Sequence, residues 1–162
     1  MKPHPRCYDP LLARISAAAQ HVLAVENRPG HDGAIMPHGP AASDHALGLI
    51  RAMIAAAKSD GRITDAERER LLDRIGCAEF DPDVMDWISR EFRAPLDLEA
   101  VAAGAAGSRR RAVELYIASV EAVDLDQEAE FAWLEALAAK LGLEPELVAA
   151  IHHKLGVPAR PG

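Results

Sequence analysis

The sequence predicts an all-α fold: a bundle of about seven helices in two related hairpin sets, preceded by an N-terminal helix and a linker. Three observations carry that prediction. Ala fills 32 of 162 positions, and it is the best helix former and a poor strand former. Aromatic residues are only 4% of the chain, which argues against a sandwich or barrel and for a core of Leu, Ile, Val and Ala. Apolar residues recur at helical spacing between capping residues and breakers, and no alternating run lies between them.

The first element is an amphipathic helix over residues 10–25, with Leu11, Leu12, Ile15, Ala18, Ala19, Val22 and Leu23 on one face. Between Asn27 and Ala42 the breakers Pro29-Gly30, Asp32-Gly33, Met36-Pro37 and Gly39-Pro40 predict a flexible linker. Residues 1–43 are therefore an N-terminal appendage, residues 44–156 the main helical domain and residues 157–162 a frayed tail. His31 and His38 are scattered in this loop without a set of ligand partners and read as solvated linker residues.

Leu47, Ile50, Met53, Ile54 and Ala57 form the next stripe, closed at Asp60-Gly61, where Gly can take the left-handed conformation. Thr64-Asp65-Ala66-Glu67 is a capping box: the hydroxyl accepts from the Glu67 amide and the Glu67 carboxylate reaches back to the Thr64 amide. The helix it opens buries Leu71, Leu72 and Ile75 and ends at Gly76. Asp81-Pro82 starts another, with Val84, Met85, Trp87, Ile88 and Phe92 inward. Asp97 caps a brief helix from Leu98 to about Ala106, and Gly107-Ser108 opens a longer one with Val113, Tyr116, Ile117, Val120 and Val123 on its apolar face. Phe131, Leu134, Leu137, Ala138 and Leu141 define the next, ending at Gly142. Glu144-Pro145 begins the last, with Leu147, Val148, Ile151 and Leu155 inward. A shift of 66 residues lays Gly76 on Gly142, Asp60 on Asp126, Ile50 on Tyr116 and Leu71 on Leu137, a pattern of two related hairpins.

Charge narrows the function. The net charge is −7, and residues 1–46 contribute none of it. That balance disfavours nonspecific nucleic-acid binding, which needs an excess of Lys and Arg, and docking on anionic lipid. No run of 18 apolar residues occurs, so no transmembrane segment is expected, and Met1–Asp9 lacks the basic-then-apolar pattern of a signal peptide. Cys7 and Cys77 have no metal-ligand spacing, as in a protein of the reducing cytosol.

The chemistry-bearing residues gather at two hinges. Asp60-Gly61-Arg62-Ile63 through Glu67 reads D-G-x-I-x-x-x-E, the second half of an EF-hand loop. Ala56 and Lys58 stand where the first two carboxylates belong, so a metal needs further donors; Asp124, Asp126, Glu128 and Glu130 form a second set. Oxygen donors alone point to Ca²⁺, Mg²⁺ or Mn²⁺. Helix capping and the helix dipole account for the same acids without any metal, and both readings stand.

Other clusters carry less. Arg109-Arg110-Arg111 reads as a solvated face paired with Glu114. His152-His153 lack a ligand three or four residues away, and Trp87 and Trp133 read as packing residues. With no nucleophile elbow, P-loop, dinucleotide fingerprint or HExxH, the expectation is a non-enzyme.

Ala55-Ala56-Ala57-Lys58-Ser59-Asp60-Gly61-Arg62-Ile63 through Glu67, Pro95-Leu96-Asp97, Ala112-Val113-Glu114-Leu115-Tyr116 with Ser119, and Val123-Asp124-Leu125-Asp126 with Glu130 and Leu134 together resemble the TerB-like tellurite-resistance superfamily. The nearest likeness is to its YebE-type branch, over roughly residues 46–155. The resemblance implies an all-helical fold of two hairpin sets and a divalent cation at acidic hinges, here Asp60 and Glu67 with Asp124, Asp126 and Glu130. It also implies a non-enzymatic module acting in tellurite and envelope stress responses with a membrane-associated protein partner. YebE-type proteins usually carry a Gly-rich hydrophobic segment ahead of this domain; residues 1–43 offer none, so membrane attachment is not carried over. The expected location is the cytoplasm, at most peripheral to the inner membrane.

Overall fold

A computed structural model describes residues 9–26, 39–59, 61, 63–75, 82–105, 107–123 and 128–157. They form eight helices and no strand: α1 (Asp9–Glu26), α2 (Gly39–Ala57), α3 (Asp65–Ile75), α4 (Pro82–Arg93), α5 (Leu98–Ala103), α6 (Arg109–Glu121), α7 (Glu128–Leu141) and α8 (Pro145–Leu155). The all-α class and the seven helices after α1 agree with the sequence pattern.

Most boundaries follow the local chemistry. The Asp97 carboxylate accepts from the Ala100 amide at 3.2 Å, and the Ser108 hydroxyl accepts from the Arg111 amide at 3.1 Å, each satisfying a donor that an open helix end leaves unpaired. Pro82 and Pro145 occupy first helical positions, where a missing N–H costs nothing. At Gly61 and Gly142 the chain turns with φ of 93° and 73°, a region that a Cβ disfavours.

One boundary differs. The segment expected to remain linker through residue 43 is already helical from Gly39. Pro40 is the reason the breaker reading overreached: a proline in the first turn is compatible with the helix that follows it. His31, His38, Cys7 and Cys77 lie outside the described residues.

The core is built around α6. Ala112, Val113, Leu115, Tyr116, Ile117, Ala118, Ser119 and Val120 are all buried, so this helix is covered on every side and not along one stripe. Its widest interface is with α2, the helix that the 66-residue shift lays upon it. Ala52, Ala55 and Ala56 are buried on α2 and Ala112, Ala118 and Ser119 on α6; such small side chains let two backbones approach closely. α1 is part of this core: Ile15, Ala19 and Val22 are buried, and α1 packs on α6 and α8.

Polar clamps fix the outer helices. Lys58 Nζ donates to the carbonyls of Glu91 at 2.6 Å and Ala94 at 2.5 Å, capping the C-terminal end of α4 with a cation, as the helix dipole favours. Burial lowers the pKa of Lys58, and the Glu91 carboxylate opposes that shift. Arg51 binds Glu91 through two bonds of 3.0 and 3.2 Å, and its guanidinium lies 5.5 Å from the Trp87 ring centroid. Trp87 is thus a half-buried packing residue, as is Trp133. No helix among the described residues is long and apolar enough to cross a membrane.

Candidate functional site

Of the five candidate metal ligands, Asp60, Asp124 and Asp126 lie outside the described residues, while Glu67 and Glu130 are described. Each of these two is the third residue of the helix after a hinge: α3 begins Asp65-Ala66-Glu67 and α7 begins Glu128-Ala129-Glu130. The shared opening, acid-Ala-Glu, puts two carboxylates on the first turn of each helix, where the dipole favours negative charge. The Glu67 amide donates to the Thr64 hydroxyl at 3.1 Å, as the capping box requires. The Glu67 carboxylate meets that same hydroxyl at 3.0 Å, which differs from the expected reach to the Thr64 amide. Among the described residues no cluster of three or more His, Cys, Asp or Glu is placed to hold a metal.

The arginine run departs from expectation. Arg110 is only 8% exposed and is not a solvated residue. Its Nε stands 3.5 Å from the carboxylate of Glu114, one helical turn on and itself 4% exposed. Its Nη2 donates to the Ser16 hydroxyl at 2.5 Å and to the Ser16 carbonyl at 3.4 Å. The expected partner Glu114 is therefore correct, but the pair lies in the core and ties α1 to α6. Arg109 grips Glu144 with bonds of 3.2 and 2.7 Å, fixing the start of α6 to the connection before α8.

A cleft of about 690 Å³ opens between α7 and α8. The two helices are joined by three residues yet dock on different partners: α7 packs on α5, α6 and α2, whereas α8 packs on α1. The space between them is floored by Tyr116 of α6 and walled by Phe131, Leu134 and Ala138 on one side and Val148 and His152 on the other. The Tyr116 hydroxyl and His152 Nε2 share a hydrogen bond of 2.7 Å, with ring centroids 5.7 Å apart and planes inclined by 16°. Burial pushes the Tyr116 phenol above its ordinary range and the His152 imidazole below its own.

The sequence reading missed this pair because it sought a partner for His152 within α8, and the partner is 36 positions away on α6. The available signal was Tyr116, one of two tyrosines in the chain: a buried tyrosine needs a hydrogen-bond partner for its hydroxyl.

His152 makes stability pH-dependent. Its folded pKa lies below the unfolded value of about 6.5, so the unfolded chain binds the proton first. The contribution is complete above about pH 6.5 and is lost as pH falls from there through the folded pKa. Melting temperature followed between roughly pH 5 and 7.5 should therefore fall less steeply on acidification in His152→Gln than in the parent chain. Parallel curves would remove His152 as the cause.

A family model described as a protein of unknown function (DUF533) matches residues 11–155, from α1 to the end of α8. No curated protein and no solved structure matches the chain.

Proposed function

The chain belongs to the DUF533 family, a TerB-like family, and we propose that it is a non-enzymatic helical module that binds a divalent cation at its acidic hinges and engages a protein partner. The observation that carries this reading is the repeated entry acid-Ala-Glu into α3 and α7, each directly after an acidic hinge. Asp60 and Glu67 of the first hinge, with Asp124, Asp126 and Glu130 of the second, are the ligand set; oxygen donors favour Ca²⁺, Mg²⁺ or Mn²⁺. The order and spacing of its motifs support a place in the YebE-type branch. With that goes a role in tellurite and envelope stress responses, at the inner membrane's cytoplasmic side.

A second reading has its own observation. The Thr64 hydroxyl engages both the amide and the carboxylate of Glu67, so the hinge acids of a purely structural interaction domain need do no more than cap helices.

Ligand linkage separates the two. A site filled at a hundredfold excess over its dissociation constant stabilises the fold by about 2.7 kcal/mol. Millimolar Ca²⁺, Mg²⁺ or Mn²⁺ should raise the melting temperature above that in EDTA, and Asp60→Asn with Asp126→Asn should abolish the rise. Identical melting in all four conditions leaves the capping reading.

A further inference from the structure

α1 lies on the bundle along a single stripe. Ile15, Ser16, Ala18, Ala19, Val22 and Leu23 are buried, whereas Ala17, Gln20, His21 and Ala24 on the opposite face are exposed. Its main packing partners are α6 and α8 and not α2, the helix that follows it in the sequence. The connection to α2 is residues 27–38. Fully extended, a segment of that length reaches about 40 Å, about the width of a domain of this size. It is long enough to place α1 on its own copy or on a neighbouring one.

The seam between α1 and α6 selects the helix that fits it. Arg110 Nη2 donates to both the hydroxyl and the carbonyl of Ser16, and at the rim Arg14 Nε donates to the Glu121 carboxylate at 3.0 Å. A docking helix must present a serine in register with the apolar stripe and a cation two residues before it, the pattern that α1 itself carries. The same polar seam lowers the cost of opening. Lifting α1 lets water reach Arg110, and the hydration it recovers offsets part of the apolar burial that is lost. An opened chain holds an apolar stripe and the groove that matches it, and two opened copies restore every contact of the closed form by exchange.

We propose that the groove formed by α6 and α8 also takes α1 from a second copy of this chain, giving a dimer in which the two α1 helices are exchanged. The inference goes beyond the cation reading and rests on the α1 seam alone.

The test uses two variants of the whole chain, both carrying Cys7→Ser and Cys77→Ser. One also carries Arg14→Cys and the other Glu121→Cys. They are mixed, unfolded in urea, refolded together and treated with a short bismaleimide. Positions 14 and 121 face each other across the seam, so the two variants become linked when α1 of one copy lies on α6 of the other. Self-docked copies set each cysteine opposite an unsubstituted residue and give no link.

The exchanged and closed forms share their contacts, so the balance follows the effective concentration of α1 at its own groove, on the order of 1 mM for a short flexible connection. The linked product should therefore rise about tenfold or more between refolding at about 10 µM and at about 1 mM, with a matching dimer in sedimentation. Deleting residues 30–33 shortens the connection and should raise the dimer severalfold at the lower concentration. Ala19→Arg, on the buried stripe, should abolish the link.

A chain that stays monomeric and unlinked at the higher concentration overturns the proposal. A dimer without the 14–121 link overturns it in favour of another contact surface. A linked fraction that neither the deletion nor Ala19→Arg changes overturns it too, because the link then does not report α1 in the groove.

Discussion

Replacing Arg110 with methionine is expected to lower the unfolding free energy by about 3–5 kcal/mol, because it removes the buried cation that faces the Glu114 carboxylate in the core. Both side chains are nearly inaccessible. The guanidinium also holds the Ser16 hydroxyl and carbonyl, so the substitution loosens α1 from α6 as well. For a chain of this size the melting temperature should drop by roughly 6–20 °C. The double substitution Arg110→Met with Glu114→Leu should recover much of the loss, since an apolar pair of similar volume avoids the desolvation that an ion pair suffers. Urea denaturation of the two variants beside the parent measures both effects. A single variant as stable as the parent would show that the pair adds nothing net to the fold.

Tyr116→Ala is the second large effect, expected at about 3–5 kcal/mol, the usual range for truncating a buried aromatic. Tyr116 is 1% exposed and among the bulkiest fully buried side chains. Its ring forms the cleft floor and stacks near His152, so truncation opens a void that α6 and α8 must close or leave empty. Tyr116→Phe keeps the ring and removes only the hydroxyl; its expected cost is about 1 kcal/mol, the net value of one hydrogen bond. Denaturation curves of the two variants separate packing from polarity. Equal losses would place the energy in the Tyr116–His152 bond and not in the ring.

These residues also mark where the sequence was legible. Local chemistry was: Asp97, Ser108, Pro82 and Pro145 start helices where the capping rules put them, and Gly61 and Gly142 turn with positive φ. Helical stripes were legible as well, since Ile15, Ile50, Val113, Leu134 and Ile151 are all buried. The place of α6 at the centre was not, because a stripe identifies one buried face, and whether the opposite face is covered depends on helices distant in the chain. Leu115 to Val120 runs six residues without a charge, and that was the sign of a helix covered all round. Arg110 was misread for the same reason: an arginine in a first turn is normally solvated, and only the arrival of α1 buries it.

The candidate site divides likewise. The hinge acids stand out in the sequence because Gly, Asp and Glu at fixed offsets have a local meaning. The cleft does not, because it is made by what α7 and α8 each pack against and not by any motif within them. Glu67 and Glu130 share a position at the head of their helices, a likeness that the 66-residue shift did not reveal because it lays Thr64, and not Glu67, on Glu130.

The packing of α1 on both α6 and α8 sets the order in which this chain can finish folding during synthesis. The earliest of the described helices to be made carries the apolar face of Ile15, Ala19 and Val22, and its two main covers are made much later. That face must wait, exposed, while the local hairpins form behind it. Bundles closed by neighbouring helices complete each step as they are translated; this one closes through its most distant contact, which slows the final docking and lengthens the interval in which the nascent chain needs protection from aggregation.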